Sequence, residues 1–363
     1  MYEKGKKIIM TGKMKTMVME GIGQVAVREL EIPQPGPGQV LVRIHQCNIC
    51  TADWQTWKGL RKSMGRTFPW ADGHEMAGEI VQLGPGVTNP LLQPGVHVAF
   101  GGQGSRGCGE CHFCRMGHPS CCTNKPGEIE YCGIKGSFGF SQYAVYESGR
   151  LYPVSSELPY EEAGFLEPTS TTVHGARRLR IRPGDKVLVI GAGNLGMVNA
   201  QVAAHFGGDV LISEVVEERC QLAASLGFPT VNPASENLKE RVMAFTDGRG
   251  ADVIILAVAN TKANDQAFSV AARRARILFF ASGHPVADLN IDANQIHYQE
   301  WELIGTYNSD PSDYQIAAGL LSSGAVKVDK LISHKIPIDD CQHAFELAAT
   351  PGMYRVSISM FDE

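Results

Sequence analysis

Four cysteines, Cys108, Cys111, Cys114 and Cys122, fall in the spacing C-x2-C-x2-C-x7-C within one glycine-rich stretch. A tetrahedral zinc needs four soft ligands converging within about 4 Å of one another. Two-residue gaps let a turn point successive thiolates at one ion, and the longer gap lets the chain wrap round to close the site. Disulfides, or buried cysteines acting as small hydrophobes, are the competing reading; the paired spacing favours zinc. With cysteine at all four positions there is no place for water, which argues for a structural site.

A second pattern is Gly191-Ala192-Gly193-Asn194-Leu195-Gly196, or G-x-G-x-x-G, between the apolar run Lys186 to Ile190 and a helix-like stretch from Leu195 to Phe206. In that context the first glycine permits a tight turn and the second lets backbone approach a pyrophosphate. The third packs helix on strand, and the helix N-terminus meets the anion. The next strand ends at Glu214, 18 residues beyond Gly196. A carboxylate there can accept hydrogen bonds from the adenosine ribose hydroxyls and repels a 2′-phosphate. Val215 and Val216 follow, and Arg219 lies five on, so NAD is favoured over NADP. The competing reading makes Glu214 a solvated charge at a strand end.

Three fragments remain: Cys47-Asn48-Ile49-Cys50-Thr51-Ala52-Asp53, Gly73-His74-Glu75 and Phe165-Leu166-Glu167-Pro168. A catalytic zinc takes about three protein ligands of mixed Cys, His and carboxylate type and keeps a position for water or substrate. Cys50, His74 and a carboxylate would supply that set. A lone histidine on a strand is as readily a satisfied core or surface group.

The elements that must carry these residues follow from composition and rhythm. The 363 residues suggest two domains, and 44% hydrophobic with 20% charged residues can bury cores. Net charge of −5 and a pI near 6.1 imply no basic surface for nucleic acid or anionic membrane. No apolar run approaches the roughly 20 residues of a membrane helix. The basic start is too short in its apolar part for a secretory signal, and Met14 could serve as an alternative start. Ten cysteines, four clustered for metal, point to a reducing cytoplasm.

From Lys15 to about Arg150, short alternating strands (Gln24 to Leu30, Gln39 to Ile44, Glu79 to Leu83, Val96 to Phe100, Gly139 to Tyr146) are broken by Gly and Pro, which reads as a β-barrel-like domain. After Pro168, apolar strands alternate with helices: Asp209 to Ser213, Val216 to Leu226, Asp252 to Ala257, Lys262 to Ala272 and Arg276 to Ala281. That rhythm means a parallel sheet covered on both faces. From about Gly305 it is lost, and the helix-like Ser312 to Ser323 and the strand Arg355 to Met360 return to the first domain.

In the order and spacing of all these motifs, the chain from about Lys15 resembles the zinc-dependent medium-chain dehydrogenase/reductase (alcohol dehydrogenase) family. Glu167-Pro168 stands where classical members have a zinc-binding Cys, which resembles the sorbitol and threonine dehydrogenase branch. The resemblance implies a discontinuous GroES-like β-barrel catalytic domain plus a Rossmann doubly wound parallel-sheet domain, with the active site in the cleft between them. The corresponding boundaries are 1–14 for an extension, 15–168 for the catalytic domain, 169–304 for the NAD-binding domain and 305–363 for the return.

It also implies two zincs per chain and NAD. Cys50 and His74 become catalytic-zinc ligands, with Glu75 and Glu167 sharing or alternating the carboxylate role. Thr171 falls near the nicotinamide and Arg355 near the cofactor phosphates. The reaction would be oxidation of a secondary alcohol (polyol, cyclitol or amino alcohol) to a ketone, in a homodimer or homotetramer. Zinc would act as Lewis acid on the substrate oxygen.

The family's relay Ser or Thr is replaced by Ala52, with the hydroxyl one place early at Thr51; Gln55 stands where some relatives have a relay His, and Thr306-Tyr307 where polyol relatives have Arg-Tyr. Trp54, Trp57 and Trp70 raise the alternative of a bulkier apolar alcohol such as a hydroxysteroid, or are ordinary core aromatics. A zinc-free quinone reductase and a non-catalytic binding protein are the other rivals.

Overall fold

The computed structural model describes residues 10–61, 67–102, 106–125, 127–283 and 285–362. The first nine residues of the expected extension lie outside them. The chain divides into two units. One comprises the chain up to Glu167, Asp310–Gly324 and everything from Val328 on; the other comprises Pro168–Ser309 and Ala325–Lys327.

In the first unit a seven-stranded sheet runs Leu151–Pro153, His97–Phe100, Glu75–Leu83, Gln39–Asn48, Arg355–Ser359, Ile332–Pro337, with Tyr143–Glu147 also paired to Gln39–Asn48. A five-stranded sheet runs Gln24–Glu31, Lys13–Gly21, Trp70–Ala71, Ile134–Gly136, Ile129–Tyr131. Alternation in Val40-Leu-Val-Arg-Ile44 and its neighbours buries Val40, Val42, Ile44, Met76, Ile80, Phe140, Tyr146 and Phe345 in one core. The first strand begins at Lys13, two residues before the expected start.

Two strands reach further than their sequence suggests, and both extensions lead to the chemistry. Gln39–Asn48 continues four residues past Ile44, and Glu75–Leu83 starts four before Glu79. Gly78 hides the second extension, since glycine weakens a strand. Here it is required: a Cβ at Gly78 would lie 2.0 Å from the carbonyl oxygen of Arg43 on the paired strand. The antiparallel register sets Asn48 opposite Glu75, and Ser357 opposite Asn48. Three strand ends therefore meet at one corner.

The second unit is a six-stranded all-parallel sheet in the order Thr230–Val231, Asp209–Ser213, Lys186–Ile190, Ala251–Leu256, Ala271–Phe279, Glu302–Gly305. Helices such as Asn194–His205, Glu217–Ser225 and Thr261–Val270 connect the strands, and Leu188, Ile190, Leu211, Ile254 and Ile277 form its core. This is the α/β arrangement that alternating apolar strands demand. The fifth strand begins at Ala271, where helix had been expected, because Ala251 pairs with Ala271 across the sheet. The sixth, Glu302–Gly305, is too short to register as a strand in sequence, so the chain stays in this unit past Gly305 and leaves it at Asp310. Among the described residues no helix is long and apolar enough to cross a membrane.

Candidate active site and dinucleotide turn

At the corner of the first unit, Cys50, His74 and Glu75 bring one ligand atom each to within 4.8 Å of one another. Cys50 stands two residues past Asn48 and caps the helix Thr51–Trp57. His74 is delivered by Gly73, whose φ of +97° suits glycine, and where a Cβ would lie 2.7 Å from the Phe140 nitrogen. Asp53, fully buried, ties the two ligands together. Its Oδ2 accepts from the Cys50 N–H at 2.8 Å, and its Oδ1 lies 3.4 Å from His74 Nδ1. A carboxylate behind a ligating imidazole is the arrangement that fixes ring orientation at metal centres.

Glu75 is also buried and is held by Arg355, whose Nε donates to Oε2 at 2.9 Å and Nη2 to Oε1 at 2.7 Å. The same Nη2 lies 4.0 Å from Cys50 Sγ. Arg355, expected at the cofactor phosphates, is thus committed to the carboxylate beside the cysteine. Glu167 opens the helix Leu166–Leu179 and stands outside the group of mutually close ligand atoms. Burial, and next the His74 charge acting against it, leaves its carboxyl above the usual range.

Burial pushes the Cys50 thiol up, aided by Glu75 and opposed by His74 and Arg355. Burial also raises the Asp53 carboxyl, against the pull of the His74 charge. Burial alone would lower His74, but Asp53 and Cys50 outweigh it and hold the imidazole well above its ordinary value. Thr51, the hydroxyl expected to act here, is exposed at the start of its helix, and Ala52 offers no hydroxyl. Trp57 and Trp70 are buried.

The four lobe cysteines likewise lie within 4.8 Å of one another, with Cys111 and Cys122 Sγ atoms 3.8 Å apart. Their sulfurs accept backbone N–H bonds of 3.3 Å from Cys111 to Cys108, and from Cys108 and Asn124 to Cys122. Such bonds, from Cys114 and Thr123 foremost, bring Cys111 down to about 6, while burial takes Cys114 up to about 12. Asp310 anchors the lobe, meeting His118 Nδ1 at 3.0 Å and the Ser120 N–H at 3.1 Å. The sequence pairs Asp53 with Cys50 only as part of the family resemblance, without a role, and gives no sign of Asp310. For Asp53 the signal was its place three residues after Cys50, at the third helical position.

In the second unit Gly191 has φ +101°, and a Cβ there would lie 2.5 Å from Val258 Cγ1. A Cβ at Gly196 would lie 1.9 Å from the Gly191 oxygen, whereas Gly193, the residue before the helix Asn194–His205, faces open space. A pyrophosphate needs that open backbone, so the turn fits a dinucleotide. Asn194 Oδ1 is buried without a hydrogen-bond partner among the described residues, and Leu195 follows it in the first turn. A cavity of about 230 Å³ lies beside the turn, lined by Gly191, Glu214, Arg219 and Lys262 among others. Glu214 Oε2 accepts from the Ala192 N–H at 2.7 Å and lies 3.9 Å from Arg219 Nη1; Oε1 accepts from Val215 and Val216 at 2.7 and 2.9 Å. Thr171 Oγ1 donates to the Pro168 carbonyl at 2.7 Å.

These geometries have counterparts in known proteins. A family model described as the alcohol dehydrogenase GroES-like domain matches residues 36–156, and one described as zinc-binding dehydrogenase matches residues 195–323. Over 330 residues the chain is 32% identical to an L-threonine 3-dehydrogenase of Pyrococcus horikoshii, covering 88% of this chain and 90% of that protein. It is 28% identical over 357 residues to a sorbitol dehydrogenase of Halalkalibacterium halodurans, covering 96% and 100%. A Sinorhizobium meliloti 1021 protein described as a zinc-binding dehydrogenase and bound to NADP shares the fold with a TM-score of 0.85 at 26% identity, over 96% of this chain and 99% of that one. The chain belongs to the zinc-dependent medium-chain alcohol dehydrogenase family, in its sorbitol and threonine dehydrogenase branch.

Proposed function

We propose that the protein is an NAD-dependent zinc oxidoreductase that interconverts a secondary alcohol, of the polyol or amino-alcohol class, and its ketone. The meeting of Cys50, His74 and Glu75 donor atoms within 4.8 Å carries this reading. Zinc at such a donor set supplies Lewis-acid polarisation of an alcohol oxygen, and NAD supplies the hydride acceptor.

The chain's own residues divide the remaining work. Cys50 as thiolate and His74 as imidazole are the ligands that define the site. Asp53 engages the imidazole at Nδ1, so the opposite ring nitrogen would be the one to hold a zinc. Glu75, neutralised by Arg355, is a buried counter-charge within reach of the same ion, and Glu167 is the second carboxylate available to it. With Ala52 in the relay position and Thr51 exposed, the proton leaves through water or Glu167. Cys108, Cys111, Cys114 and Cys122 hold a structural zinc. Gly191, Gly193 and Gly196 cradle the pyrophosphate, with Asn194 and Leu195 at the helix start, and Glu214 and Arg219 flank the adenosine ribose. Thr171 belongs to the nicotinamide side.

Burial of Trp57 and Trp70 in the first unit weighs against an aromatic wall for a steroid. The ten cysteines carry no disulfide, which suits a reducing cytoplasm, and we expect a homodimer or homotetramer. The decisive experiment pairs metal analysis with an NAD-coupled screen of polyols and amino alcohols. Two zincs per chain and turnover of at least one compound are expected. C50S should lose one zinc and at least about a thousandfold in turnover while keeping the other zinc. Full turnover in C50S, or no turnover of any alcohol by zinc-loaded protein, would reject the reading.

A further inference from the structure

Glu167 stands outside the mutually close donor atoms of Cys50, His74 and Glu75, so its approach to them is set by the chain that precedes it. That chain begins with the short helix Tyr160–Ala163, which packs on the strands Glu75–Leu83 and Gln39–Asn48. Tyr160 is fixed by two histidines: its ring stacks on His45 with centroids 4.2 Å apart, and its hydroxyl meets His97 Nε2 at 2.8 Å. The next residue is fixed by a single side chain, since Asn48 Nδ2 donates to the Glu161 carbonyl at 3.0 Å. Gly164 then lies flush on the strand ends. A Cβ there would stand 2.8 Å from the Glu75 carbonyl oxygen and 2.9 Å from Asn48 Nδ2. Phe165 and Leu166 are fully buried, and Glu167 follows them directly. On its other side, a Cβ at Gly102 would lie 3.1 Å from Glu167 Cγ, and Arg150 Nη2 holds that glycine by its carbonyl at 2.8 Å.

Asn48 itself is fully buried, and its Oδ1 has no hydrogen-bond partner among the described residues. An unpaired buried oxygen is unfavourable, and an apolar side chain of similar size would avoid it. Asn48 is therefore a poor device for stability alone. Its place in the sheet accounts for it. The register sets Asn48 opposite Glu75, and Cys50 lies two residues on. One side chain thus ties the strand end that leads to Cys50 and faces Glu75 to the segment that bears Glu167.

We propose that Asn48 is a positioning residue for Glu167: through the Glu161 carbonyl it sets how the second carboxylate stands toward the inner cluster. The inference rests on the zinc oxidoreductase reading given above. It places the two carboxylates under separate control. Arg355 steadies Glu75, and Asn48 steadies Glu167.

A double-mutant cycle between Asn48 and Glu167 tests it without reference to turnover. N48A and N48L both delete the donor, and N48L fills the space that N48A would leave empty. The probe is cobalt(II) in the inner site of full-length protein whose lobe holds zinc, read by visible absorption and by chelator competition. With Glu167 present, either variant should change the cobalt spectrum and weaken its affinity by about fivefold, as loss of one hydrogen bond requires. In E167Q the same substitutions should leave the spectrum of E167Q unchanged and shift affinity by less than about twofold. A role confined to folding would move both backgrounds alike. The proposal is overturned if N48L leaves spectrum and affinity as in wild type, or if it shifts them as far with E167Q as without it. A wild-type inner site that takes up no cobalt would instead reject the metal reading itself, and the inference with it.

Discussion

The two clusters of metal-type ligands in the first unit are built in opposite ways. The lobe draws its four thiols from a single stretch, residues 108–122, and organises them with backbone N–H bonds from that stretch and from Asn124 just beyond it. The inner cluster draws Cys50, His74 and Glu75 from the ends of paired strands, and the Arg355 that steadies Glu75 is 280 residues further along the chain. The lobe is therefore a local device that metal itself can fold, as in small zinc modules. The inner cluster is a product of sheet register and should persist, as geometry, without metal. A site of this second kind trades ease of assembly for control over charge, because its groups sit in a buried environment that the whole barrel determines.

Removing Arg355 should give the largest effect on that contrast. R355M leaves Glu75 buried and uncompensated, which typically costs about 3–5 kcal/mol. Urea unfolding of metal-free protein should show that loss, and the folded variant, once reloaded, should still take up zinc at the lobe. E75M/R355M, which removes both charges, should recover much of it. If R355M unfolds like wild type, the pair is not what holds the strand ends together. A smaller effect is expected from D53N. It keeps the shape and the acceptor to Cys50 but weakens the hold on His74, so affinity for the inner zinc and turnover should both fall about 10- to 100-fold. Chelator competition resolves the two zincs. Equal weakening of both would mean that Asp53 supports the fold and not His74.

The same contrast explains what the sequence could disclose. The lobe and the glycine turn were legible because their geometry is encoded in spacing within one stretch, and the alternating apolar strands from Lys186 onward were legible because parallel strands are buried on both faces. The inner cluster was legible only by resemblance. Nothing in the segments around Cys50 and His74 states that Asn48 pairs with Glu75, and a one-residue slip would have turned every side chain to the other face. Gly78 concealed the first four residues of the strand that begins at Glu75. Arg355 illustrates the limit most clearly: a cation suited to phosphate was expected at the cofactor, but the register of Arg355–Ser359 with Gln39–Asn48 delivers it to Glu75. In the second unit, the three N–H groups that donate to Glu214 are likewise brought within reach only by the folded turn.

The smallest expected effect is also the most direct reading of the inner cluster's electrostatics. Without metal, burial keeps the Cys50 thiol above its ordinary value of 9.0, and Asp53 with Cys50 keeps His74 well above 6.5. Both shifts run upward, so near neutral pH these two donors retain their protons, and a metal ion must displace them to bind. Affinity for the inner zinc should therefore rise with pH, by about tenfold per pH unit for each proton displaced, between about pH 6 and 8. The lobe behaves differently at its Cys111, whose thiol is held below its ordinary value by backbone N–H bonds. Calorimetry of inner-site loading, with the lobe already filled and in buffers of contrasting ionisation enthalpy, should register release of at least one proton per zinc at pH 7. Loading that released none would mean that Cys50 and His74 stand ready deprotonated, and that the barrel interior does not set their charge as its geometry requires.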